Sequence, residues 1–289
     1  MSETIDPPHY APIPPTLTDL LERGRGSAEA GDWVAAGHAW VQAAMRGSEE
    51  GANLASQVTG ELVPLADAGS AEAAALLAGI LMDYYDESAL PTALMYAKAS
   101  AEAGNPAGQR TYGFMLVEGH GAVEDPARAA ELFRAAAEGG DAYAAYNLAN
   151  MVDDHDECVR VLERAAGQGV AEVGAALADR LSSVDRDEEA LRWYLWAAER
   201  GHTGSMNAAA CWYRDGFGTS PDPVQAVRWY FAMLALGDGN GIHEAIELVK
   251  RTSMTEDQIR EAGRLAAAPA TAEALISTVA GKPLPGHGI

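Results

Sequence analysis

The stretch Ala190-Leu191-Arg192-Trp193-Tyr194-Leu195-Trp196-Ala197-Ala198-Glu199-Arg200-Gly201 decides the fold. Ala190, Trp193, Tyr194, Ala197 and Ala198 fall at steps i, i+3, i+4, i+7 and i+8, which places five side chains on one stripe of a helix. Gly201 stands where that helix has to stop, because the residue after a helix commonly turns left-handed and glycine does so without a side-chain clash.

The same register returns along the chain. It fits Ala226, Trp229, Tyr230, Met233, Leu234 and Gly237, and again Ala129, Leu132, Phe133, Ala136, Ala137 and Gly140. Further copies are Ala36, Ala39, Trp40, Ala43, Ala44 and Gly47; Ala93, Tyr96, Ala97, Ser100, Ala101 and Gly104; and Cys158, Val161, Leu162, Ala165, Ala166 and Gly169. A weaker copy ends at Gly69. The terminal glycines lie 22, 35, 36, 29, 32 and 36 residues apart, which brackets the period of helix-pair solenoids. Only the first interval is too short for two ordinary helices, and Pro64 interrupts it. Residues 48 to 69 are therefore either a full pair or one bent helix.

Just beyond each glycine a second apolar pattern begins, as in Gly108, Tyr112, Gly113, Leu116 or Ala144, Leu148, Ala149, Val152, and supplies the other helix of the pair. One pair cannot bury its own stripe, so pairs stack. The expected fold is all-α: a right-handed α-α superhelix, or solenoid, of about six to seven antiparallel helix pairs.

Tyr112-Gly113, Gly119-His120-Gly121, Asp125, Ala129, Leu132-Phe133, Ala136-Ala137 and Gly140 resemble the Sel-one-like repeat, a relative of the tetratricopeptide repeat. Gly216-Phe217-Gly218, Asp222, Ala226, Trp229-Tyr230 and Gly237 repeat the pattern. The resemblance implies an adaptor whose concave groove takes an extended peptide or a helix. The full G-x-G loop occurs in two units only; the units ending at Gly169 and Gly201 shorten it, and the one ending at Gly104 has Asp86 to Pro91 instead.

The expected organisation is a disordered Pro-rich tail over 1–16, tetratricopeptide-like helices over 17–69, Sel-one-like repeats over 70–238, capping helices over 239–280 and a flexible end over 281–289. The first helix can be capped by Thr16 or Thr18, and Thr255 and Gln258 have capping-box spacing.

With 42 acidic against 20 basic residues the net charge is −22, which repels phosphate backbones and anionic lipid. The expected partner is accordingly a protein or peptide, not nucleic acid or membrane. The first ten residues lack the basic and apolar runs of a secretory signal, and a cytoplasmic location is expected. Cys158 and Cys211 have no metal-binding spacing.

No cofactor or metal is expected. The run Asp153, Asp154, His155, Asp156, Glu157 reads as helix-capping acids in preference to an ion site. The G-x-G segments lack the strand and lysine of a phosphate cradle and read as turns. No nucleophile motif such as G-x-S-x-G is present, so no catalytic residue is assigned and the protein is read as a non-enzyme.

Helical phase gives the candidate recognition residues, on the supposition that the first helix of each pair lines the groove. They are Arg110, Phe114, Tyr146, Asn150, Asp179, Asn207, Cys211, Arg214, His243 and Glu247, with Asn147 and Trp212 at the border. The leading function is a protein-interaction scaffold. One alternative is an inhibitor or immunity-type protein whose acidic surface caps a basic target; another is a hydrolase with its site in the groove.

Overall fold

The computed structural model describes residues 15–280, so the expectations for 1–14 and 281–289 fall outside the described residues. Two units are distinguished, one up to Asp153 and one from Asp154 onward. The first holds α1 (Leu17–Glu29), α2 (Trp33–Met45), α3 (Glu49–Gln57), α4 (Thr59–Asp67), α5 (Ala71–Tyr84), α6 (Leu90–Glu102), α7 (Pro106–Glu118), α8 (Pro126–Glu138) and α9 (Ala142–Ala149). The second holds α10 (His155–Ala166), α11 (Ala171–Ser182), α12 (Asp187–Ala198), α13 (Thr203–Asp215), α14 (Pro223–Ala235), α15 (Asn240–Thr252), α16 (Glu256–Leu265) and α17 (Pro269–Val279). No strand occurs among the described residues, and the all-α expectation holds.

Side-chain caps write the helix starts. Asp32, Asp125, Asp141 and Asp154 each precede a helix and accept a hydrogen bond from the amide three residues on, at 2.8–3.0 Å. Asp222 accepts from the amides of Val224 and Gln225. Each such cap is worth about 1 kcal/mol. Part of the acid surplus is thereby spent on helix boundaries, and Asp154 shows it for the acidic run at 153–157. Thr16, not Thr18, caps α1, and both Thr16 and Thr255 close full capping boxes.

The helix ends follow the glycine register. Gly47, Gly69, Gly104, Gly140, Gly169, Gly201 and Gly237 all have positive φ, between 79° and 95°. The stripes they terminate are buried: Ala190, Trp193, Tyr194, Ala197 and Ala198 of α12 are all inside, as are Ala226, Trp229, Tyr230 and Met233 of α14. Within a pair, a first-helix glycine lies under a second-helix ring. A Cβ on Gly113 would come within 2.9 Å of the Phe133 ring, and one on Gly174 within 2.5 Å of Trp196. Small-against-large packing of this kind brings α7 against α8 and α11 against α12.

The G-x-G loops have a second function in the stack. Gly119 and Gly216 are left-handed C-caps of α7 and α13. The second glycines, Gly121 and Gly218, also have positive φ and press on the preceding pair: a Cβ would lie 3.0 Å from the Leu90 carbonyl oxygen at the start of α6, and 2.4 Å from that of Asp187 at the start of α12.

Residues 48–69 resolve as one bent helix. α3 and α4 meet at Val58, whose φ and ψ of −68° and −13° stay right-handed. The break lies at Val58, six residues before Pro64, which sits inside α4. Thr59 Oγ1 and the Tyr85 hydroxyl both donate to the Ser56 carbonyl, stabilising the interruption. The bend transfers the chain from one neighbour to the next, since α3 packs on α2 and α4 packs on α5. With one helix in place of a pair, α2 itself packs against α5. Although α2 carries the second-helix stripe, it therefore stands among the first helices.

Candidate functional site

In the first unit the polar side chains left over from packing collect where α2, α5, α7 and α9 meet. His38 of α2, Glu72 and Ala75 of α5, Asn105, Pro106 and Ala107 at the start of α7, and Gly139, Gly140 and Asp141 between α8 and α9 line a cavity of about 280 Å³. Arg110 Nε donates to Asp141 Oδ2 at 2.9 Å, with the Asp141 side chain only 12% exposed. The Arg110 guanidinium also lies 5.8 Å from the Tyr143 ring centroid, a cation–π distance. Desolvation pushes the His38 imidazole below its usual range, opposed by the nearby Glu72 carboxylate and assisted by Arg110. Burial raises Asp83 above the usual carboxylate range, against the pull of Arg110.

In the second unit α13, α14 and α15 bring together Cys211, Arg214, Tyr230 and Glu244. Cys211 Sγ is 3.8 Å from the Tyr230 hydroxyl. Arg214 donates twice to Asp215, at 2.8 and 2.6 Å, and reaches Glu244 at 3.5 Å. The first of these pairings holds Asp215 below the ordinary carboxylate range. Burial raises the Tyr230 phenol.

The ten residues singled out from sequence divide accordingly. Arg110 belongs to the first cluster, while Cys211 and Arg214 belong to the second. Phe114, one turn beyond Arg110, is 37% exposed and meets the His120 ring of the G-x-G loop edge-on at 6.1 Å. Tyr146 is half-buried on α9, and Asn150 is exposed as the residue capping that helix. Asp179 accepts a 2.5 Å hydrogen bond from Tyr194, so it ties α11 to α12. Asn207, His243 and Glu247 are exposed, and Glu247 pairs with Lys250 at 3.5 Å. Of the border residues, Asn147 is half-buried, and Trp212 packs between Tyr194 and Phe217 with centroids 5.1 and 5.9 Å away.

Sequence reasoning missed His38, Glu72 and Tyr143. His38 lies just off the stripe of a helix whose pattern marks it as second in its pair, and the parity change at 48–69 is what brings it to this face. Among the described residues no group of three or more His, Cys, Asp or Glu side chains is placed to hold a metal ion, and no helix is long and apolar enough to cross a membrane.

The Sel1 repeat matches residues 106–141, 173–202 and 204–238. A Sel1 repeat protein from Oxalobacter formigenes has a similar fold: 16% identity, 93% of this chain and 99% of that one covered, TM-score 0.57. The structure of c5321, a protective antigen of uropathogenic Escherichia coli displaying an SLR fold, aligns over 95% of this chain and 73% of its own at 19% identity, with a TM-score of 0.46. No curated protein matches the chain.

Proposed function

We propose that this chain, a helical-repeat protein of the Sel1-like repeat family, is an interaction scaffold that binds a partner protein or peptide on its first-helix faces. The observation that carries the reading is a division of labour between helices. Second-helix aromatics such as Phe133, Trp193, Trp196 and Trp229 are buried, whereas Arg110, Phe114, Tyr143 and Tyr146 on α7 and α9 keep part of their surface accessible. Rings and amides held on rigid helices supply apolar area and backbone-pairing groups at low entropy cost. Scaffolds of this repeat type are typically non-enzymatic. The candidate residues are the ten named from the sequence, joined by His38, Glu72 and Tyr143.

The test is a crosslinking pull-down from native lysate with the intact chain, repeated with a Phe114→Ala, Tyr143→Ala, Tyr146→Ala triple variant. Recovery of a stoichiometric partner by the parent and its loss with the folded variant is expected. Equal recovery by both would remove the first-helix face from the interaction.

The net charge of −22 favours a second reading, in which the acidic surface caps a basic protein. Salt separates the two, since capping by charge weakens steeply between low and physiological ionic strength.

A further inference from the structure

The geometry points to the cavity between His38, Glu72 and Asp141 as a subsite that takes a basic side chain, lysine or arginine, from the bound partner. This rests on the scaffold reading and adds to it the chemistry of one partner residue.

The charge at this place can be followed group by group. Asp141 is matched by Arg110, and its other oxygen accepts the Ala144 amide, so that pair brings no net charge to the cavity. His38 sits in surroundings that disfavour its protonation and faces Glu72. Glu72 is exposed, lies in the first turn of α5 and has no salt bridge among the described residues.

Four helix ends meet there, the N-termini of α5, α7 and α9 and the C-terminus of α8, and the N-termini of α5 and α9 are capped, the Ala73 amide by Ser70 and the Ala144 amide by Asp141. Gly139 and Gly140 follow the carbonyl end of α8, where the carbonyls of Ala135, Ala136 and Ala137 already accept the amides of Gly139, Asp141 and Gly140. The facing N-terminus of α7 is largely silenced as an anion site. Pro106 has no N–H to offer, and the Gly108 amide is taken by the Asn105 side chain at 2.9 Å.

Size agrees with this assignment. About 280 Å³ admits a long side chain but not a folded element. Ala75, Pro106 and Ala107 give the aliphatic stem of a lysine or arginine an apolar wall while its head meets Glu72. An acidic side chain would face Glu72 with no cation free of a carboxylate partner, since Arg110 is committed to Asp141. The first unit as a whole is acidic, which would bring basic segments toward it.

Fluorescence anisotropy with three labelled peptides tests the assignment on the full chain. They share a neutral Gly/Ser/Phe sequence and differ at one central position: lysine, norleucine or glutamate. The lysine peptide is expected to bind about fivefold more tightly than the norleucine one, and Glu72→Gln to remove most of that preference.

Asp257→Asn, an exposed charge removed from the other unit, is expected to leave the preference intact. Ala107→Phe, which fills the cavity from a half-exposed position, is expected to abolish it while circular dichroism stays unchanged.

Equal binding of the lysine and norleucine peptides, binding of none of them, or an equal loss in Glu72→Gln and Asp257→Asn would each overturn the subsite. If the pull-down still recovers a partner in that event, the scaffold reading survives and only the basic side chain is lost.

Discussion

Tyr194 illustrates how one side chain can belong to the packing and border the recognition face at once. Its ring is buried beside Trp212, yet its hydroxyl reaches across to Asp179 on the neighbouring helix. Burial and that hydrogen bond together raise the phenol above its usual range. Tyr194→Phe is expected to cost about 1 kcal/mol in denaturant unfolding, the net worth of one such bond. No effect would mean that Asp179 is free for recognition.

His38 gives a second expectation at this scale. Its folded-state pKa lies below the unfolded one, so acidification protonates the unfolded chain first. Its contribution to stability is present above the unfolded value and lost as pH falls from there through the lower folded one. Between about pH 7.5 and about 5.5 the melting temperature of the parent should fall relative to that of His38→Gln. Parallel profiles for the two proteins would show that His38 is not desolvated.

At the scale of elements, the glycines under rings and the second glycines of the G-x-G loops fix how helices approach. Gly174→Ala is expected to destabilise by about 1–3 kcal/mol through overpacking against Trp196. Gly218→Ala combines a left-handed backbone with a collision on the Asp187 carbonyl, and a loss of about 2 kcal/mol or more is expected. Alanine at Gly201, where φ is also positive but the space is open, should cost only the conformational part, about 1 kcal/mol. Thermal unfolding of the three variants gives the ranking directly.

These elements were largely legible in sequence, because a stripe ending on glycine depends on neighbours three and four residues apart. Thr16 could not be chosen over Thr18 in the same way, since either spacing suits a cap. The break at Val58 was less legible still. Pro64 was the visible irregularity, but α4 accommodates it, and the interruption is held by Thr59 and by Tyr85, a residue 26 positions away.

Over the whole molecule, charge is the feature with the widest consequence. At −22 the chain repels itself, so screening should help it: the melting temperature is expected to rise as salt goes from about 10 mM to about 150 mM, where the Debye length shrinks from roughly 30 to 8 Å. A fall would show that exposed ion pairs such as Arg260 with Glu256 and Glu273 outweigh the repulsion.

The candidate site was legible only in part at this scale. Arg110 and Phe114 could be placed from helical phase, but the partners that give Arg110 its meaning, Asp141 and Tyr143, lie some thirty residues away. Sequence spacing within one helix carries no information about such distances.

The bent helix at 48–69 has a consequence for how chains of this kind grow. Its two borders read alike, Gly47-Ser48 and Gly69-Ser70, and both serines cap the helix that follows. Cutting out the segment between them would leave a junction that is flawless to the eye, glycine then a capping residue, as at Gly104-Asn105 and Gly140-Asp141. The splice would nonetheless make direct successors of α2 and α5, which now stand side by side with a helix running between them. Gain or loss of helices by twos preserves which side each later helix presents, whereas gain or loss of one exchanges the sides. In such a lineage the face that recognises and the face that packs are inherited by counting.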